Sequence, residues 1–240
     1  MGKLLSANFA RLWKNHTFWI GVAFMLALSV YVMLEGGLSA PEHESYDMSA
    51  FGYSQIIGFC CAVFASLYLG SEYTDGAIRN KIIVGHSRAR IYLANLVTVF
   101  TAMLLMIAAW LMGALIGFPF FGPLSNLPGC MVNFIASIFT TAAFSAIFTL
   151  IAMLCTNKAV SAVVSIILFL GLSVFAGNVN MNLIRNLLPT GQAVWIFGND
   201  VGHSVLELLG SVLITLLGSV VIVITVTSAG ITAFRKKDLK

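Results

Sequence analysis

Charge is what this chain has least of. Only 22 of its 240 residues are Asp, Glu, Lys or Arg, while 59% are hydrophobic and the mean hydropathy is +0.96. A soluble domain carries about 25% charged residues, so a water-soluble globule is excluded. The deficit is also concentrated, because no charged residue occurs in 91–157, 159–184 or 208–234. Each interval exceeds the roughly 20 residues that cross hydrocarbon as a helix. Cysteine is scarce as well. Cys60 and Cys61 are adjacent, and Cys130 and Cys155 stand far apart, a pattern with neither a disulfide framework nor metal-ligand spacing. These thiols read as small buried apolar side chains.

The missing chemistry excludes further classes. There is no nucleophile elbow, no HExxH and no glycine-rich phosphate loop, the only Gly-Lys being Gly2-Lys3. The sequence therefore predicts no catalytic residue, no bound cofactor and no nucleotide hydrolysis by this chain itself. Ion-coupled carriers and proton relays need ionisable groups at depth. No predicted span has one near its centre, since Glu35 and Glu207 flank their helices. The acidic stretch around Glu42, Glu44 and Asp47 reads as a solvated loop, and no metal site is predicted from it.

What is there is apolar sequence in long runs. Gly117 to Pro123 and Pro128 divide the 91–157 run into a hairpin of two spans. Six membrane helices are predicted near 18–34, 48–70, 91–116, 128–155, 159–176 and 208–233. The runs are continuous rather than alternating with period two, which favours helices over a barrel. The expected fold class is thus an all-α integral membrane protein, with 1–240 forming one transmembrane domain. A cleavable signal peptide is not expected, because the first apolar stretch is long for one.

Lys and Arg in short loops are retained on the cytoplasmic side, and here they sort onto one face. Lys3, Arg11 and Lys14 precede the first span, Arg79, Lys81, Arg88 and Arg90 separate the second from the third, and Lys158 separates the fourth from the fifth. Arg235, Lys236, Lys237 and Lys240 follow the sixth, so 12 of 13 basic residues share a face and Arg185 is the exception. Both termini are expected in the cytoplasm. Topology accounts for the net charge of +4, and no nucleic-acid partner is called for.

Two segments stand outside the spans with a pattern of their own. In residues 3–15, Leu5, Phe9, Leu12 and Trp13 follow helical spacing with Asn8, Arg11 and Lys14 opposite, which predicts an amphipathic interfacial helix with Trp13 at headgroup depth. Phe9, Arg11, Trp13 and Lys14 are its candidate contacts with membrane lipid. Residues 71–90 hold six of the charged residues. Ser71 is predicted to cap a helix beginning at Glu72, Asp75 and Arg79 stand at i, i+4, Ile78 and Ile82 make an apolar ridge, and Gly85 is a stop. A mixed-charge helix between two spans suits a docking surface for a soluble protein, and a solvated hairpin would show the same pattern. The outer excursion 177–206 is expected to hold a short amphipathic turn at 181–188, broken by Pro189-Thr-Gly191, with Ala193 to Phe197 re-entering the interface; a loop on the headgroups fits equally.

Gly70-Ser-Glu-Tyr-Thr-Asp-Gly-Ala-Ile-Arg-Asn-Lys81, followed by Gly85-His-Ser-Arg88 and Ile91-Tyr-Leu93, resembles the cytoplasmic segment between spans two and three of small bacterial permeases of ATP-binding-cassette exporters. These are the type-2 permeases of lantibiotic, bacitracin and peptide-toxin export. The layout of the remaining chain is similar in architecture. The resemblance implies a bacterial plasma-membrane permease that works with a separate ATPase subunit holding ATP and Mg, beside a second permease chain, identical or related. It implies that 71–90 is a coupling segment whose residues 72–84 form a helix seated in a groove of the ATPase. Glu72, Tyr73, Thr74, Asp75, Arg79 and Lys81 would then be polar contacts or their neighbours in the motif, and Ile78 and Ile82 the groove-filling residues. The implied cargo is a hydrophobic or amphipathic substrate, a peptide first, a lipid or drug-like amphiphile next. An ATPase-independent channel or carrier, and a membrane scaffold for a cytosolic partner, are the rival classes.

Overall fold

The computed structural model describes residues 1–39, 50–121, 127–178, 187–198 and 205–237. Among these, every regular element is a helix: α1 (Gly2–Trp13), α2 (His16–Ser39), α3 (Tyr53–Thr74), α4 (Ala77–Ile83), α5 (Arg88–Phe121), α6 (Leu127–Leu154), α7 (Lys158–Asn178), α8 (Pro189–Gly198) and α9 (Val205–Lys236). Six of them, α2, α3, α5, α6, α7 and α9, are long and apolar enough to cross a membrane. They coincide with the six predicted spans. The acidic loop at 41–47 and the turn at 181–186 lie outside the described residues.

The boundaries move where a side chain or a special backbone angle intervenes. Helix α5 runs past Gly117 to Phe121 and carries Pro119 in its last turn, where a missing N–H costs one hydrogen bond at most. The break therefore falls later than the sequence suggested. Pro189 was expected to interrupt a helix and instead opens α8, because its fixed φ and absent donor suit a first helical position. The largest correction concerns the charged island. Ser71 does not begin a new helix; Ser71 to Thr74 form the last turn of α3, and the chain breaks at Gly76, whose φ of 67° is left-handed. Only glycine adopts that angle without strain. Asp75 and Arg79 thus belong to different elements and make no helical pair.

Helices α3 and α6 form the centre of the bundle. α3 packs on α7, α6, α5, α8 and α2, while α6 packs on α9, α3, α5 and α8. Tyr53, Ile57, Cys61, Ala65 and Tyr68 make a buried stripe along α3, at the three- and four-residue spacing that keeps side chains on one helix face. The outward faces of α2, α7 and α9 present Ile20, Phe24, Ile167, Val174, Leu217 and Ile224, which is what hydrocarbon as solvent allows. A Cβ at Gly113 would stand 2.7 Å from the Ser29 Cβ, so glycine is needed there for α2 and α5 to approach.

Polar groups inside the bundle are mostly paired, as an apolar solvent demands. Ser29 donates to the Trp110 carbonyl at 2.7 Å, Tyr53 and Ser137 share a bond of 2.7 Å, and Ser66 bonds Ser161 and Ser165 at 3.0 and 3.2 Å. Short helix α8 is pressed into the bundle. Gln192 accepts from Thr140 at 3.0 Å and from Ser219 at 2.8 Å, and Ser54 donates to the Ala193 carbonyl at 3.1 Å. The first half of α8 therefore packs against protein, and the reading of 189–193 as a loop on the headgroups is overturned.

Candidate functional site

Glu72 is fully buried, and four chain segments converge on its carboxylate. Oε1 accepts from Lys81 Nζ at 2.7 Å and pairs with Arg11 at 3.2 Å, while Oε2 accepts from Asn95 Nδ2 at 2.9 Å. Asn8 closes the ring. Its Oδ1 accepts from Lys81 at 2.8 Å, and its Nδ2 donates to Asn95 Oδ1 at 2.8 Å and to Thr98 at 3.3 Å. Arg11 extends the network outward, donating to Ser71 at 2.9 Å and pairing with Asp75 at 2.8 Å. Its guanidinium also lies over the Tyr68 ring, whose hydroxyl donates to the Asn8 carbonyl at 3.1 Å. One carboxylate thereby fixes α1, the end of α3, helix α4 and the start of α5.

Local sequence explains why these groups meet. Gly76 turns the chain so that α4 folds back beside α3, bringing Lys81 within reach of a residue nine positions earlier. At the far end, the Gly85 N–H bonds the Ile82 carbonyl at 2.9 Å and the His86 N–H bonds the Lys81 carbonyl at 3.1 Å. Those two bonds, with Gly85 at φ 94°, make a Schellman stop. Ser87 then caps α5, accepting from the Arg90 N–H at 3.4 Å.

A second cluster stands beside the first. Tyr73 donates from its hydroxyl to the Met153 carbonyl at the end of α6. Lys237 donates to that same carbonyl at 3.0 Å and to the Tyr73 hydroxyl at 3.1 Å, its ammonium 4.3 Å from the centre of the tyrosine ring. Burial lowers the Lys237 pKa from its ordinary value. Arg88 gathers the carbonyls of Phe234, Arg235 and Lys237, a cation at a helix C-terminus.

The structure divides the predicted residues into two sets. Glu72 and Ile78 face inward, Ile78 only 1% exposed, and Lys81 and Ile82 are half-buried. They hold α4 to the bundle: burying a carboxylate requires internal partners, and Glu72 has them, while Ile78 packs into the core. Thr74, Asp75, Arg79 and Asn80 are exposed instead, as are Ile83 at 73% and Val84 at 75%. Among the described residues Arg79 forms no ion pair.

Helix α1 is rotated from its predicted setting. Leu4, Asn8 and Leu12 are its buried face, Arg11, Leu5 and Phe9 are half-buried, and Trp13 and Lys14 are exposed. Asn8 turns inward because α1 packs on α5, where Asn95 and Thr98 supply partners, and Lys81 reaches it from α4. Sequence reasoning missed Asn8, Asn95, Thr98 and Tyr68 in the site. The available signal was a pair of asparagines beside apolar runs, each needing a partner when buried.

Comparison with known families agrees with this architecture. Residues 4–176 match the sequence profile of the family described as ABC-2 family transporter protein, and the chain belongs to that family. It is a multi-pass membrane transport component of the permease type. A comparison with curated proteins gave no significant match.

Proposed function

We propose that this chain is the permease subunit of an exporter driven by a separate ATP-binding-cassette ATPase, with α4 as the element the ATPase pushes. The observation that carries this reading is the two-sidedness of α4. Its inner face is clamped through Lys81 to buried Glu72, and its outer side offers Ile83 and Val84 next to Arg79 and Asn80. Exposed aliphatics beside charge, on a helix rigidly joined to the spans, suit docking followed by transmission. Arg79, Asp75 and Thr74 supply polar contacts at the edge, and ATP and Mg belong to the partner. A second permease chain, identical or related, completes the path for a hydrophobic or amphipathic substrate, with a peptide the first expectation.

The purified chain is expected to hydrolyse no ATP alone and to gain vanadate-sensitive turnover when its partner ATPase is added. Hydrolysis by the isolated chain would contradict the reading. Orientation follows the basic residues, placing both termini and α4 in the cytoplasm of a bacterial cell. Single cysteines at positions 86 and 238 are expected to react with a membrane-impermeant maleimide only after the membrane is opened, and those at 43 and 200 without opening. A mixed pattern would overturn the orientation.

A further inference from the structure

Glu72 and Tyr73 are consecutive residues on one helical turn, so their side chains leave α3 about 100° apart. Their partners divide the protein in two. Every partner of Glu72 lies between residues 11 and 95, on α1, α4 and α5. The partners of Tyr73 are Met153 and Lys237, at the ends of α6 and α9. Helix α9 packs along α6 and α5, and its C-terminal carbonyls are held by Arg88 at the start of α5. The Lys237 clasp is what ties that end to α3.

Capping alone does not account for this arrangement. The last carbonyls of α9 are already held by Arg88, and the carbonyl that Lys237 reaches belongs to Met153 at the end of α6, where the Tyr73 hydroxyl already supplies a donor. Lys237 instead surrenders part of its hydration to sit over the Tyr73 ring and to share the Met153 carbonyl with the Tyr73 hydroxyl. Three helix ends meet at that ammonium.

We infer that the last turn of α3 splits a displacement of α4 into two branches, Glu72 carrying it to α1 and α5 and Tyr73 carrying it to α6 and α9, with Lys237 the positioning residue of the second branch. This rests on the proposed coupling role of α4 and adds the route by which motion reaches the C-terminal half. The two branches touch at two places, where Asn95 Nδ2 lies 3.4 Å from the Met153 sulfur and where Arg88 joins α5 to the end of α9, but the Tyr73–Lys237 clasp itself contains no member of the Glu72 ring.

Hydrogen exchange of the full chain assembled with its ATPase tests it, comparing nucleotide-free and ATP–vanadate states at residues 2–13 and 230–237. In Lys237→Met, the nucleotide-dependent change at 230–237 is expected to be lost while that at 2–13 persists; Lys237→Arg restores it, and Glu72→Gln gives the reverse pattern. Loss at both segments in Lys237→Met, or persistence at both, overturns the split. A second measurement needs no ATPase: in the isolated chain, Tyr73→Phe and Lys237→Met should each speed exchange at 230–237 and leave 2–13 unchanged. Unchanged exchange at 230–237 there overturns the clasp itself. A wild-type assembly with no nucleotide-dependent change in either segment contradicts the coupling role instead, which separates the two failures.

Discussion

Glu72→Ala is expected to lower stability by about 3 kcal/mol or more, the penalty for breaking a buried ion pair from one side. The substitution leaves Lys81 and Arg11 facing each other without the carboxylate between them, and leaves the Asn95 amide only the weak Met153 sulfur as acceptor. Asn8 then holds Lys81 alone, through a neutral amide. Because the ring joins four segments, α1 and α4 should loosen together. Thermal unfolding of the detergent-solubilised chain measures the loss, and proteolysis near residues 14 and 85 reports the loosening. Glu72→Met combined with Lys81→Met should be milder than Glu72→Ala, since removing both charges leaves no unpaired ion and Arg11 keeps Asp75. A Glu72→Ala chain as stable as wild type would show that the carboxylate is not the keystone of this junction.

Ile83→Asp with Val84→Asp should act in the opposite sense, sparing the fold and abolishing association with the ATPase. Both side chains are about three-quarters exposed, so the isolated chain gives up little when they change. Burying each against a partner contributes about 1.5–3 kcal/mol, and their joint loss lowers affinity by more than about 100-fold. Co-purification and ATPase stimulation are the readouts. Ile78→Ala is the contrast, expected to reduce stability by about 2–5 kcal/mol because that side chain is packed in the core. Undiminished association of the doubly substituted chain would remove Ile83 and Val84 from the docking face.

These two predictions mark where sequence and structure part. Ile78 and Ile82 were legible as an apolar ridge at helical spacing, but an isolated ridge does not reveal whether it meets a partner or the chain's own spans. Here it meets the spans. Ile83 and Val84, read as the end of a short helix, carry no periodicity that would flag them as outward. Asp75 and Arg79 satisfied the i, i+4 rule on paper; Gly76, between them, ended that helix by adopting an angle other residues avoid. Asn8 fell on the polar side of a helical wheel and turned out buried, because a wheel knows only one helix.

The polar stripe of α6 is a further case. Asn133, Ser137, Thr141, Ser145 and Thr149 recur every four residues and are all buried, a pattern visible in the sequence yet submerged in a long apolar run. Ser137 reaches Tyr53 and Ser145 lies near Cys61, so part of the stripe faces α3. Its direction is set by which neighbour packs there, and the run itself does not encode that.

The sequence alone determined that this chain crosses a membrane as helices, how many times it does so, and where the polar interruption falls. The reason is solvent: hydrocarbon tolerates neither unpaired backbone nor free charge, so span number and length are written in composition. Only the tertiary structure decided which polar residues of the interruption point inward. Glu72 is buried because Arg11, Lys81 and Asn95 arrive around it from three other segments, and a carboxylate goes wherever its counter-charges are assembled.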